Sequence, residues 1–284
     1  MSDHVVHITA EGRSERDSLL TGPFSALTSR WSLTREMTQR DIKGRYRGAS
    51  FGLLWSLISP FLMLCVYTLA FGYVLKSRWP GASGDIFEFA MILFIGLIVH
   101  GFFAECISRS PNLIVGNSNL VKRIIFPLQL LPWTAVLSAL FHLVANTLVY
   151  FVISTILLHQ AHWTIILLPV VVIPLVMFAV GVCWFLAALG VFLRDVGQVM
   201  GVISTALLFL SSAIIPVSTL PEQYQLVFKL NPLTFIIDQA REVAFWGRLP
   251  DWTGLGLYAL GALVVMYLGF AFFEKTRRGF ADVL

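Results

Sequence analysis

The chain has 284 residues, of which 57% are hydrophobic and only 13% charged, with a mean hydropathy of +0.79. These proportions exclude an ordinary soluble domain. The net charge of +4 arises from basic residues beside apolar runs, a pattern that favours anionic lipid or a membrane-associated partner over nucleic acid.

Residues 1–22 are polar and lack the apolar core and small-residue cleavage site of a signal peptide, so they read as a disordered cytoplasmic tail with His4 and His7 solvated. Over 23–47 the pattern predicts an amphipathic helix in the cytoplasmic interface. Phe24, Leu27, Trp31 and Met37 fall loosely on one side, with Arg30, Arg35 and Arg40 among the polar positions. Its end is strongly basic, through Arg40, Lys43, Arg45 and Arg47, with Asp41 and Tyr46 among them. Gly48 to Leu75 then carries no charged side chain, which is long enough for a first span over 49–75. Cations held by the cytoplasmic leaflet at this junction place the N-terminal segment inside.

A second span is predicted over 87–108, followed by a cytoplasmic loop at 109–126. From Ile124 to Leu193 there is no Asp, Glu, Lys or Arg over 70 residues. As one helix that run would extend about 105 Å, roughly three hydrocarbon thicknesses. It must therefore fold back, and HQAHW at 159–163 is its polar cluster, giving spans over 127–158 and 164–189. A fifth span is predicted over 197–215 and a sixth over 254–273, with a basic tail after it. The segment between them, 216–252, is cut by Pro221, Pro232 and Pro250 and reads as two short helices at the outer interface or dipping into the membrane. The fold expected is an all-α polytopic membrane protein with six transmembrane helices. Of the 20 Lys and Arg residues, 15 fall on the side that holds both termini, which makes both ends cytoplasmic.

Cys65, Cys106 and Cys183 have no CxxC spacing and read as packing residues, with no disulfide or metal site. No GxxxxGK[ST], GxSxG or HExxH run occurs, so the chain offers neither a nucleotide-binding loop nor the nucleophile or metal ligands of a membrane hydrolase. Glu105 reads as an interfacial carboxylate near Arg109, and His100 and His142 lie nearer mid-span. Trp55, Tyr67, Phe71 and Tyr73 of the first span are candidate channel aromatics, because ring faces pack on sugar faces without demanding one sequence of sugars.

RDIKGRYRGASFGLLWSLISP (40–60) resembles the approach to the first span in ABC-2 type exporter permeases, particularly those exporting O-antigen and related surface polysaccharides. GLIVHGFFAECISRS (96–110), GNSNLVKRIIFPLQLLP (116–132), LRDVGQ (193–198) and LNPLTFIIDQAREVAFWG (230–247) follow in the family's order, so that the resemblance covers about residues 24–284. It implies a permease homodimer above two ATP-binding cassette subunits that carry the ATP and Mg, with no cofactor or catalytic residue on this chain. It also implies an inner-membrane location and a lipid-linked polysaccharide cargo such as O-antigen, with capsular polysaccharide or teichoic-acid precursors as alternatives. Asn117, Leu120, Val121, Lys122 and Arg123 match the cytoplasmic helix that docks on the ATPase in such permeases, with Asn117 or Ser118 capping it. The interface helix, with Arg40, Asp41, Lys43, Arg45 and Tyr46, would touch the same partner and guide the lipid end of a substrate. Pro221, Tyr224, Asn231, Pro232 and Arg241 become candidate gate residues. Two readings from other classes remain beside it. A membrane-embedded enzyme on lipid-linked substrates would act without an ATPase, and an ion-coupled carrier would depend on Glu105.

Overall fold

A computed structural model describes residues 22–25, 27–28, 30–74, 78–121, 126–159 and 162–284. Among the described residues it is helical throughout, with no strand. Five helical segments are long and apolar enough to cross a bilayer, at Gly52–Val74, Ile86–Asn112, Leu130–Leu157, Trp163–Phe192 and Trp252–Val283. The chain is a multi-pass membrane protein. The tail expected at 1–22 lies outside the described residues apart from Gly22.

The first helix, α1 (Trp31–Arg45), has Lys43 and Arg45 in its last turn, where cations complement the carbonyl end of the helix dipole. Arg30 leaves helical backbone values (φ −128°, ψ 34°), so the helical residues before it form a separate piece. The amphipathic pattern is met only in part. Met37 and Leu27 pack on the core, but Trp31 is 51% exposed and Phe24 39% exposed. The buried contact is polar instead. Thr34 is fully buried and donates to the Arg30 carbonyl at 3.2 Å, and Trp133 Nε1 donates to the Pro23 carbonyl at 2.9 Å.

Helix α2 (Trp55–Tyr67) follows a 3₁₀ turn at Gly52–Leu54 and continues as a π-helical stretch, Thr68–Val74. Pro60 sits inside α2 and cannot donate the backbone bond its position would otherwise make. The rest of the chain buries only Ser56 and Leu64 of this helix and leaves Phe61, Leu62, Met63 and Val66 exposed. Helix α3 (Ile86–Arg109) is the opposite case. It starts at an Asp85 cap, whose carboxylate accepts from Phe87 N at 3.2 Å, and it carries the centre of the core, with Ile92, Leu93 and Cys106 at 0% exposure.

The short helix α4 (Ser118–Val121) precedes α5 (Leu130–Leu157). The chain reverses beyond α5, where His159 adopts φ +51°, within the HQAHW cluster where the turn is expected. A 3₁₀ segment, Trp163–Leu167, leads into α6 (Leu168–Phe192). The last long helix, α10 (Trp252–Thr276), lies against α6 with backbones in near contact. A Cβ at Gly181 would sit 2.6 Å from the Val265 carbonyl oxygen, and one at Gly269 would run into the Gly181 backbone. Close approach at small residues is how helices associate where lipid removes the hydrophobic drive. The final turn does not end as a loose basic tail. Phe280, in α11 (Phe280–Val283), is fully buried beside Phe192 and Phe273.

The expected fifth span, 197–215, is shorter as a helix. Helix α7 (Val196–Phe209) has 14 residues, rises only about 21 Å, and gives way to turns over 210–215. It stops early because side chains from later in the sequence take carbonyls at and beyond its end. Asn231 Nδ2 donates to Leu207 O at 3.0 Å and to Leu210 O at 3.1 Å. Asn231 is also the hinge of a helical hairpin. It ends α8 (Glu222–Leu230) and caps α9 (Pro232–Ala244), accepting from Leu233 N at 2.9 Å, with Pro232 at the first position, where no N–H is needed. Gly247, at φ +66°, closes the end of α9.

Replacing Gly269 by Ala should therefore lower the detergent-solubilised melting temperature, through about 1–3 kcal/mol of overpacking. Gly261→Ala on the same helix, where an added Cβ meets nothing within 4 Å, should not lower it.

Candidate functional site

Two cavities meet at the basic end of the helices. The first, of about 570 Å³, is walled by α2, α3 and α5 and includes Trp55, Ser59, Tyr67, His100, Glu105 and Asn146. Its lining follows helical spacing. Ser56, Ser59, Met63 and Tyr67 stack on one side of α2, His142 and Asn146 are one turn apart on α5, and Gly101 and Glu105 are one turn apart on α3. Of the candidate channel aromatics, Trp55 and Tyr67 reach this cavity. Phe71 instead stacks on Tyr67, with ring centroids 6.1 Å apart, and packs beside Phe89, Leu93 and Ile214. Tyr73 is 72% exposed and lies away from the cavity.

The second cavity, of about 750 Å³, lies between α1, the start of α5 and the 3₁₀ turns that follow α3. Four guanidinium groups line it, those of Arg40, Arg45, Arg47 and Arg109, against one carboxylate, Asp41. Asn117 also lines it, and its amide donates back to the Leu113 carbonyl at 2.9 Å rather than forward as a cap for α4. Lys43 is exposed on α1 and lines neither cavity. Leu120 is half-buried against the chain's own core; the Val121 side chain, Lys122 and Arg123 lie outside the described residues.

An ion-pair network forms the wall between the cavities. Glu105 accepts from Arg45, and from Arg109 at 3.3 Å, and His142 Nδ1 lies 2.9 Å from Glu105 and 3.2 Å from an Arg45 terminal nitrogen, while Arg109 donates to Asp41 at 2.6 Å. Tyr46 meets the His142 ring edge-on at 6.0 Å. Burial pushes the Tyr46 hydroxyl above its ordinary pKa, against the lowering effect of Arg45, so it remains protonated at neutral pH. Sequence spacing pairs Glu105 with Arg109, one helical turn away. Its links to Arg45 and His142 join residues 60 and 37 positions apart, and local periodicity carries no sign of them.

The candidate gate residues divide as well. Pro221 precedes α8, and Tyr224 on that helix is 54% exposed, whereas Asn231 and Arg241 are buried. Arg241 donates through Nε to Ile92 O at 3.0 Å, and through its two terminal nitrogens to Ser212 O at 2.6 Å and Ala213 O at 2.8 Å. Its guanidinium also lies 4.2 Å from the centre of the Trp79 ring. The group joins α9 to α3 and to the turns after α7. Gly96 of α3 leaves the room, because a Cβ there would meet a terminal Arg241 nitrogen at 2.6 Å.

A set of long apolar helices around a cavity lined by aromatic and polar groups, with a basic helix across one end, agrees with the comparisons with known proteins. The family described as "ABC-2 type transporter" matches residues 32–245, from α1 to the end of α9. The chain belongs to that family. Among similar proteins, the "O-antigen export system permease protein RfbA" of Myxococcus xanthus is 27% identical over 248 residues, covering 87% of this chain and 93% of the relative. The protein of the same name from Klebsiella pneumoniae is 25% identical over 255 residues, with the same coverage. The "Polysialic acid transport protein KpsM" of Escherichia coli is 25% identical over 248 residues, covering 84% and 90%. In this ABC-2 chain the matched region includes both cavities and the Arg241 clamp.

Arg241→Met should destabilise the protein strongly, because each buried carbonyl left bare costs about 1–3 kcal/mol. Thermal unfolding followed by tryptophan fluorescence in detergent should show a large drop for Arg241→Met, a smaller one for Arg241→Lys and none for the exposed Tyr224→Ala.

Proposed function

We propose that this chain is the membrane subunit of an ATP-driven exporter of lipid-linked polysaccharide, with an O-antigen-type glycan as cargo. The observation that carries the reading is the cavity of about 570 Å³, in which Trp55 and Tyr67 alternate with Ser59, His100 and Asn146. Aromatic faces and neutral hydrogen-bonding groups are what a sliding, hydroxyl-rich chain needs, and few fixed charges hold it in place. RfbA proteins named for O-antigen export support the cargo over most of the chain. Relatives named for polysialic acid transport support a capsular polysaccharide as the second reading, by the same mechanism.

In this account the protein sits in the bacterial inner membrane with both termini cytoplasmic. Two copies face each other through α2 and α7, whose apolar sides the single chain leaves exposed at Phe61, Met63, Val199 and Val202. Each copy supplies half of the conduit. Two ATP-binding cassette subunits dock below, on α1 and on the loop containing Lys122 and Arg123, and they hold the ATP and Mg. Hydrolysis there shifts α1, and the movement reaches the conduit wall through Arg45 and Glu105. The hairpin of α8 and α9 closes the outer end. As a membrane enzyme the chain would need a free acid or nucleophile in its cavity, and Glu105 is already committed to Arg45, Arg109 and His142.

In sealed liposomes holding the permease and its ATP-binding companion, a lipid-linked glycan should become protected from an external glycosidase only when ATP is supplied outside. Transport by the permease alone would overturn the proposal. Lys122→Glu with Arg123→Glu should weaken co-purification of the companion and its stimulated ATPase by tenfold or more, about 1.4 kcal/mol of docking energy.

A further inference from the structure

The two cavities share one wall, and that wall consists of exchangeable charges. Arg45 lines both chambers, Glu105 and His142 line the aromatic one, and Asp41 and Arg109 line the basic one. The side chains of Arg45, which lines both chambers, and Glu105, which lines the aromatic one, meet here. The network is also incompletely satisfied. Asp41 Oδ2 and His142 Nε2 are buried polar atoms without a hydrogen-bond partner among the described residues, and His142 as a whole is only 9% exposed. Buried groups of this kind ordinarily have partners, so the network has room to exchange partners among its own side chains.

We propose that the Arg45–Glu105 pair is a closed partition between the two cavities, opened by a phosphate-bearing anion that enters the basic chamber and takes Arg45 from Glu105. The exchange moves one partner only. Arg45 passes from a carboxylate to phosphate oxygens, for which a guanidinium has matching fork geometry, while Arg109 stays with Asp41 and Glu105. Glu105 keeps His142 as a partner at 2.9 Å, so its carboxylate is not left bare when Arg45 leaves. Arg40 and Arg47 give the chamber the excess positive charge that draws the anion in. Arg45 and Glu105 are thus positioning residues, and the chamber binds an anion as a condition of access to the conduit. The inference rests on the export reading for the direction of access, from the face that carries α1.

Accessibility of Asn146, on the far side of the partition, tests it without transport or ATPase. The full chain carrying Cys65→Ser and Asn146→Cys is placed in sealed phosphatidylcholine vesicles. Reaction with an impermeant maleimide is read from molecules whose N-terminal tail is cut by protease added outside. Cys106 and Cys183 are buried and remain silent. Labelling should be slow with the native pair, about tenfold faster with Glu105→Gln, the factor that corresponds to about 1.4 kcal/mol, and slow again when Arg45→Glu is combined with Glu105→Arg. Inorganic diphosphate should accelerate labelling with the native pair and not with Glu105→Gln. Acceleration by diphosphate in neutral vesicles assigns the anion as phosphate itself. Acceleration only when phosphatidylglycerol is included assigns it to a bilayer headgroup, and either result supports the partition. If neither anion changes the rate, the partition is refuted, even where the charge-swapped variant fails to fold. The liposome transport assay stands independently, because no glycan or companion enters this one.

Discussion

Backbone polar groups inside a bilayer have no water to turn to, and the half of this molecule that holds α8 and α9 is organised around that constraint. A transmembrane helix normally meets it by running unbroken from one face to the other. Here α7 stops after 14 residues, and the carbonyls at and beyond its end are met by Asn231 and Arg241, from 21 to 29 positions later. Without those two side chains the turns at 210–215 would expose bare acceptors, and the hairpin of α8 and α9 would have no fixed seat. Asn231 is economical in this respect: one amide ends α8, caps α9 and satisfies α7. Gly96 supplies the remaining condition, since only the absence of a Cβ lets the guanidinium reach α3.

Depth of burial and closeness of packing differ between the helices in a way that follows from composition. Helix α3 presents bulky apolar groups on most of its circumference and is enclosed by neighbours; α2 has a similar composition yet remains largely uncovered. The π-helical stretch after Tyr67 sets α2 apart, because it disturbs the regular helix that close packing against a straight neighbour requires; an internal proline alone does not, since α6 carries Pro174 and packs closely. Helices α6 and α10 show the other extreme, with glycine facing glycine at Gly181 and Gly269. A closely packed pair thus stands beside a largely uncovered helix, and the uncovered one carries Trp55 and Tyr67 of the aromatic cavity.

Much of this was legible in the residues. The absence of charge over 124–193 forces a reversal near HQAHW, and the chain does reverse there. The basic run at 40–47 marks an end of the helical bundle. The length of α7 was not legible, because LLFLSSAIIP is as apolar as any span; the reason it stops lies in Asn231 and Arg241, beyond any local window. Nor was the division of the aromatics. Trp55, Tyr67, Phe71 and Tyr73 share a helix, but the change to π-helical winding after Tyr67 rotates the last two off the cavity. Amphipathicity at 24–37 was a misleading guide to which residues of the interface segment are covered, since among the described residues there Thr34, a polar residue, is the one fully buried and Trp31 is exposed.

The two arginine sites differ in what can replace their partners, and this difference divides fixed structure from movable structure. Arg241 has the Asp238 carboxylate at 3.5 Å, but its shorter bonds go to carbonyls of α3 and of the 212–213 turn, which belong to the backbone and cannot leave without unfolding it. An anion would have to displace three such bonds in a site with 2% exposure. Arg45 and Arg109 are held by carboxylates on flexible side chains at a partly open wall, with side-chain exposures of 35% and 28%. Water reaches the arginine ends of these pairs and screens the attraction, and ordering two side chains opposes it, although Glu105 itself is only 16% exposed. A partner of higher charge can therefore compete for them. If the hairpin of α8 and α9 moves, it must move as a body with its clamp intact, whereas the wall at Arg45 and Glu105 can rearrange one side chain at a time.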